Sequence, residues 1–239
     1  LDHARPAVAS YAADAIEARV EPELLQSVKA LAQSQEATLF MVLQSAYALL
    51  LSRWSGEDDI VMGVPIAGRT RPEVEPLIGF FINTLVFRSV VAPELTVAQW
   101  IAQARQTALQ AYAHQELPFE LLIDALQPER DLAYNPLCQV KFILQNYESQ
   151  ELELPGLRLT PLAARSQQIR FDLDLTVTER DGALALNFSY KTALFSAATM
   201  QRLADAYVQL LRAMATTPTK ALAELPLLAQ DAALQMRAL

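Results

Sequence analysis

Side chains able to do acid–base, nucleophilic or metal chemistry are scarce in this sequence. Its two histidines, His3 and His114, stand far apart, and Cys138 is its only cysteine. No group of His, Cys and carboxylates has the short spacing of a metal site. A Ser–His–Asp triad would need His114 as its base, and no Gly-x-Ser-x-Gly elbow accompanies it. The six glycines form neither a Gly-x-Gly-x-x-Gly turn nor a Walker loop, so no phosphate cradle is encoded. His114 falls at the end of a helical stretch, where an imidazole can bond the last free carbonyls and complement the helix dipole. Cys138 opens an apolar run and reads as a buried, inert thiol. Polar residues embedded in apolar stretches carry more information. Asn83 sits in Ile78-Gly79-Phe80-Phe81-Ile82-Asn83-Thr84-Leu85. A buried amide there must be satisfied, either by bonding backbone at a bulge, the reading favoured on this run alone, or by pointing a donor into a cavity. Arg130-Asp131-Leu132-Ala133-Tyr134-Asn135-Pro136-Leu137 is of the same kind, with Asn-Pro favouring a turn and Arg130-Asp131 readable as a solvated pair.

The elements that must position these residues follow from pattern. Leu1 to Ala13 has no sustained period and reads as a linker. Ile16–Val20 suggests a short strand. Pro22 suits a first helical turn, and Leu24, Leu25, Val28 and Leu31 recur at helical spacing. Thr38 is placed to cap a helix over Leu39–Trp54 that Gly56 stops. That helix is apolar on nearly every face, but a membrane span would need about twenty apolar residues and Gln44-Ser45 interrupts this one, so it reads as buried against a sheet. Ile60–Ile66 and Thr84–Val91 read as strands around a charged, proline-bounded loop, Gly68–Pro76. Thr96 begins an amphipathic helix with Trp100, Ile101, Ala104, Ala108 and Tyr112 on one stripe. A short helix is expected after Pro118 and a strand over Cys138–Leu144. Phe171–Thr178 and Ala183–Tyr190 alternate in period two across Asp181-Gly182, the signature of a hairpin. Ser196 caps a last helix running to about Met214, and Ala221–Leu239 is an apolar tail.

Composition agrees with one α/β unit, a mixed sheet covered by helices. The 239 residues are 52% hydrophobic and 19% charged, which excludes a disordered chain. Net charge is −8, so nucleic acid and anionic membranes are poor partners. A single cysteine excludes an internal disulfide and suits a reducing, cytoplasmic setting. The chain begins at Leu1 without a signal-peptide pattern, which suggests a piece of something longer.

Three segments, in order, resemble the last three core motifs of condensation domains from nonribosomal peptide synthetases: Ile-Gly-Phe-Phe-Ile-Asn-Thr-Leu (78–85), His-Gln-Glu-Leu-Pro-Phe-Glu (114–120) and Arg-Asp-Leu-Ala-Tyr-Asn-Pro-Leu-Cys-Gln-Val (130–140). Leu1-Asp2-His3-Ala4-Arg5-Pro6 resembles the entry to the second half of such domains, and Leu225-Pro226-Leu227-Leu228 the exit toward an adenylation domain. The resemblance implies a chloramphenicol-acetyltransferase-like fold, two α/β lobes with a tunnel between them. It also implies a division of this chain into an entering linker (1–13), a C-terminal lobe (14–220) and the start of an exit linker (221–239).

The implied reaction is amide formation between a donor acyl thioester and an acceptor amine, each delivered on a phosphopantetheine arm by a carrier domain. The family's His-His-x-x-x-Asp-Gly motif belongs to the first half and occurs nowhere here. No catalytic residue or metal ligand is therefore expected in this chain, and alone it is expected to be inactive. Gly79, Asn83, His114, Pro118, Phe119, Arg130, Asn135, Pro136 and Gln139 match motif positions, with structural or tunnel-lining roles. Gly68–Gly79 would correspond to the floor loop and part of Leu154–Arg170 to a latch toward the other lobe. Ala133-Tyr134 departs from the commoner Ser-Arg, so any role of that arginine does not carry over. The motif forms look most like domains joining two L-configured residues. A lobe of an epimerising or ester-forming domain, or a non-catalytic docking module, are the alternatives. Implied partners are the N-terminal lobe, donor and acceptor carriers and an adenylation domain.

Overall fold

In a computed structural model, residues 1–129, 131–145, 157 and 168–227 are described. The elements run β1 (Ala13–Val20), α1 (Pro22–Ser34), α2 (Leu39–Ser55), β2 (Asp59–Ile66), β3 (Asn83–Val90), α3 (Val97–Ala113), α4 (Phe119–Leu126), β4 (Val140–Gln145), β5 (Leu173–Arg180), β6 (Ala183–Lys191) and α5 (Ala197–Thr216). The strands form one six-stranded sheet in the order β1-β6-β5-β4-β2-β3. β2–β4 and β4–β5 are parallel and the other pairs antiparallel, so the sheet is mixed.

One face of the sheet carries the core. α2 lies against it, buried from Met41 to Leu50 because its apolar residues surround the axis. Thr38 Oγ1 accepts from the Met41 N–H at 3.3 Å, and Gly56 closes the helix with φ +79°. Two buried polar tips fasten its flanks: Trp100 Nε1 donates to the Ser45 carbonyl (3.0 Å) and Tyr207 OH to the Leu43 carbonyl (2.9 Å). Tyr47, Phe142, Phe188 and Tyr207 pack with ring centroids 5.9–6.4 Å apart, joining helix, sheet and α5 in one aromatic layer. Asp181 (φ +50°) and Gly182 (φ +72°) turn the β5–β6 hairpin, the backbone that a tight right-twisted hairpin demands.

The opposite face is polar. Lys141, Asp174, Thr176, Thr178 and Asn187 alternate with core residues such as Phe142, Leu175, Val177 and Phe188. This face and the strand ends around Asn83 form the setting of the candidate site. Among the described residues no helix is long and apolar enough to cross a membrane.

Boundaries shift from the sequence expectation in instructive ways. β1 begins at Ala13, before the apolar run, because β6 extends to Lys191 and pairs with it. β4 begins at Val140, so Cys138 precedes the strand instead of lying within it. It is buried nonetheless, and burial pushes its thiol up to about 11. The N-terminal residues are bound to the body. Asp2 accepts from the Ser196 N–H (2.8 Å) and the Thr199 hydroxyl (2.9 Å) at the start of α5. Residues 217–225 are likewise held, with Leu222 N–H on the Leu95 carbonyl and Leu225 carbonyl on Arg53 Nη1 (2.5 Å).

Candidate functional site

Asn83 opens β3 in regular register opposite Ile66, so there is no bulge. Its amide works outward from the strand. Nδ2 donates to the carbonyls of Gln115 (2.9 Å) and Leu117 (2.8 Å), while Oδ1 accepts from the N–H of Phe119 (3.1 Å) and Thr84 (2.9 Å). One side chain thereby stitches the strand to the turn after α3 and to the first residue of α4. Pro118 is the N-cap of that short helix, its fixed φ of −61° setting the entry. His114 ends α3 through its backbone, whose N–H meets the Ala111 and Tyr112 carbonyls. The imidazole is exposed and meets no hydrogen-bond partner among the described residues, so the carbonyl-capping role expected of the ring is carried by the main chain.

A second amide lock holds the approach to β4. Gln139 Nε2 donates to the Asn135 carbonyl (2.8 Å) and its Oε1 accepts from the Asn135 N–H (3.1 Å), closing a loop around Pro136. Asn135 Nδ2 then reaches the Arg170 carbonyl at 3.1 Å. Beside this lock, Asp172 is buried between two cations. Arg5 Nη2 lies 2.5 Å from Oδ2 and Lys191 Nζ 3.0 Å from Oδ1, and the Asp172 contact holds the Arg5 guanidinium's pKa up. Arg5 also covers the ring of Tyr134, 4.1 Å from its centroid, at the position where this sequence departs from the motif arginine.

These locks frame a cleft of about 680 Å³ lined by Phe80, Phe81, Asn83, Thr84, Pro118, Phe119, Asn135, Arg170 and Phe171, among others. The structure thus brings Asn83, Pro118, Phe119 and Asn135 together. Pro136 lines a neighbouring cleft with Ile123, Leu132 and Tyr134. Gln139 acts on backbone. Arg130 and most of the expected latch lie outside the described residues.

The loop from Gly68 to Gly79 contributes Gly68 and Thr70 to the cleft lining and is stapled to itself. Arg69 Nη1 donates to the carbonyls of Val74 and Glu75, and its guanidinium lies 4.4 Å from the Phe81 ring centroid. Gly68, at φ +66°, sits where a Cβ would fall 1.9 Å from the Phe81 carbonyl oxygen, so no side chain fits. A Cβ at Gly79 would come within 2.9 Å of the Phe81 ring.

Arg170, Phe171 and a Lys141–Asp174 ion pair on the sheet face were not among the residues the sequence singled out. For the ion pair a signal was nevertheless present: Lys141 interrupts the apolar run 140–143, and Asp174 falls among the polar positions of the alternating run 171–178. Among the described residues no group of three or more His, Cys, Asp and Glu could hold a metal ion.

Solved structures share this architecture. A four-domain nonribosomal peptide synthetase crystallised with AMP and glycine superposes with a TM-score of 0.87 at 27% identity, over 96% of this chain and 19% of that one. The X-domain from teicoplanin biosynthesis gives 0.88 at 26% identity, over 95% of this chain and 52% of that one. The fold is that of condensation domains, the chloramphenicol-acetyltransferase-like α/β architecture. The condensation-domain family model matches residues 1–236, and the chain belongs to that family. Linear gramicidin synthase subunits B and D of Brevibacillus parabrevis are 44% and 46% identical to it over 98% and 96% of this chain. The chain spans only 5% and 4% of those two proteins, and about half of the X-domain chain.

Proposed function

We propose that this chain is the C-terminal half of a condensation domain that joins a donor acyl thioester to an acceptor amine in nonribosomal peptide synthesis, and that its cleft is one wall of the substrate tunnel. In that reaction the amine attacks the thioester carbonyl, a C–N bond forms, the C–S bond breaks, and the amine's proton leaves while the pantetheine sulfur departs as thiol. A thioester is already activated, so holding both arms in register supplies much of the rate. The observation that carries the reading is the convergence of three separated motifs on one cleft, with Asn83 bonded to the Gln115–Phe119 turn and Asn135 to Arg170. These locks give the cleft fixed walls, as positioning requires.

The phosphopantetheine arms would arrive on partner carrier domains. An arm of methylenes and amides suits the lining, where Phe119 and Phe171 give apolar contact and Thr70, Thr84 and Asn135 polar contact. This chain's residues would bind and orient. The second histidine of the family motif, which would deprotonate or position the attacking amine, would come from the other half. The test compares the isolated chain with the whole domain, each supplied with two carrier-bound aminoacyl thioesters. Amide is expected from the whole domain alone, and amide from the isolated chain would overturn the division of labour.

A docking role is the second reading, favoured by the TM-score of 0.86 to an X-domain solved in complex with OxyB. A whole domain that makes no amide yet binds a partner protein would select it. Joining of two L-configured residues is the subtype we infer from the motif forms.

A further inference from the structure

Lys141 and Asp174 occupy adjacent central strands, and register places them beside each other and beside Gly63 on the sheet face that the helices leave open. Lys141 Nζ lies 2.6 Å from Asp174 Oδ2, with the lysine side chain 24% exposed and the aspartate 11%. Burial raises the Asp174 pKa, against the opposing pull of Lys141, and its Oδ1 has no hydrogen-bond partner among the described residues. Such a pair does little for stability: removing two charges from water offsets their attraction, and apolar residues of like volume often do as well. It stands where recognition would occur. The Lys141 ammonium lies 5.2 Å from the centroid of the Phe171 ring, and Phe171 lines the cleft. Cys138, Thr84 and Phe171 crowd the space over Gly63, which has no side chain of its own, and two of the three, Thr84 and Phe171, line the cleft.

Resting on the tunnel-wall reading above, we propose that the Lys141–Asp174 pair determines specificity, selecting a substrate acyl group whose side chain presents a hydrogen-bond-accepting oxygen. The more exposed member is the ammonium, so the pair presents its donor end on the open sheet face, next to the Phe171 ring at the cleft's border. An ammonium carries three N–H donors, and the Asp174 contact uses one. A carboxamide or carbonyl oxygen completes its shell. An aliphatic side chain of equal size leaves it unfilled, and a cationic one meets like charge at low dielectric.

The experiment uses the whole condensation domain with its flanking carriers. Leucine and its near-isostere asparagine, together with lysine, are loaded as thioesters, first on the donor and then on the acceptor arm. The wild-type domain is expected to favour asparagine over leucine, and lysine least, on one arm. Replacing the pair together (Lys141→Met with Asp174→Thr) removes both charges without stranding either, and should collapse the asparagine/leucine ratio of kcat/KM at least tenfold. Lys141→Arg should keep the preference. Thermal unfolding of the double variant verifies that it folds. Amide formation with ratios unmoved on both arms would overturn the proposal and leave the condensation reading intact. No amide from any wild-type pairing would overturn that reading, and the proposal with it.

Discussion

Asn83 shows how a single side chain can carry a site. Its amide makes four hydrogen bonds to backbone groups from residues 84 to 119, saturating both its donors and its acceptor. Only an amide has that inventory at this size. Asn83→Asp keeps the acceptor but turns a carboxylate on two carbonyls, while Asn83→Ala strands all four partners. Each replacement is expected to cost about 2 kcal/mol in urea unfolding, the scale of several part-buried groups left unpaired. Hydrogen exchange at the Phe119 amide should accelerate in Asn83→Ala. An aspartate variant of unchanged stability would show that the amide does not hold the turn. The sequence made Asn83 visible as an amide in an apolar run, but three of its four partners lay thirty-odd residues away, where no local pattern could point. Lys141 likewise stood as a charge in an apolar run and Asp174 among the polar positions of an alternating one, and only register reveals that they face each other.

At the scale of elements, what was legible was local chemistry. Thr38, Thr96 and Ser196 cap α2, α3 and α5 with side-chain oxygens, and Asp181-Gly182 turns the hairpin, as their types require. Strand order was not legible, because pairing β4 between β2 and β5 depends on long-range packing that periodicity does not encode. Nor was the anchoring of the N-terminal segment, whose charged and small residues look solvated until Asp172, Lys191 and α5 are placed. Asp2 sits at the positive end of α5 and binds the amide of Ser196, the helix's own N-cap. That backbone hydrogen bond holds the Asp2 carboxyl below its ordinary range. A depressed carboxyl stabilises the fold above its unfolded pKa, and that contribution disappears as pH falls through the folded value. Asp2→Ala should therefore lower stability at neutral pH by a few tenths to about 1 kcal/mol, the lower part reflecting solvent screening of an exposed group. The difference should shrink when unfolding is repeated near pH 3; a difference independent of pH would place the effect in packing.

The whole molecule is lopsided in a way that composition conceals. One face of the sheet buries a dense aromatic and aliphatic core, while the cleft side carries apolar side chains in open water. Ile78 is fully exposed and Phe80 88% exposed, with Leu77 and Ile82 beside them on the loop that borders the cleft, and Leu117 and Leu121 on the α4 side. Arg69 and Gly68 hold this loop in shape from beneath, so its apolar tips are presented instead of collapsing inward. Exposed apolar side chains concentrated on two segments in this way mark a place where another surface belongs. In the proposed domain that surface is the other half. In the isolated chain the available alternative is a second copy, and the apolar tips should drive association as concentration rises. Sedimentation velocity over a hundredfold concentration range is expected to show a weight-average coefficient that climbs for the unaltered chain. It should stay flat for Ile78→Ser with Phe80→Ser, which removes two tips without touching the Asn83 lock. A chain that remains monomeric throughout would mean that the loop's exposure carries no association energy. Association that survives the double variant would instead move the contact to an edge of the sheet, β1 or β3, beyond which no further strand pairs among the described residues.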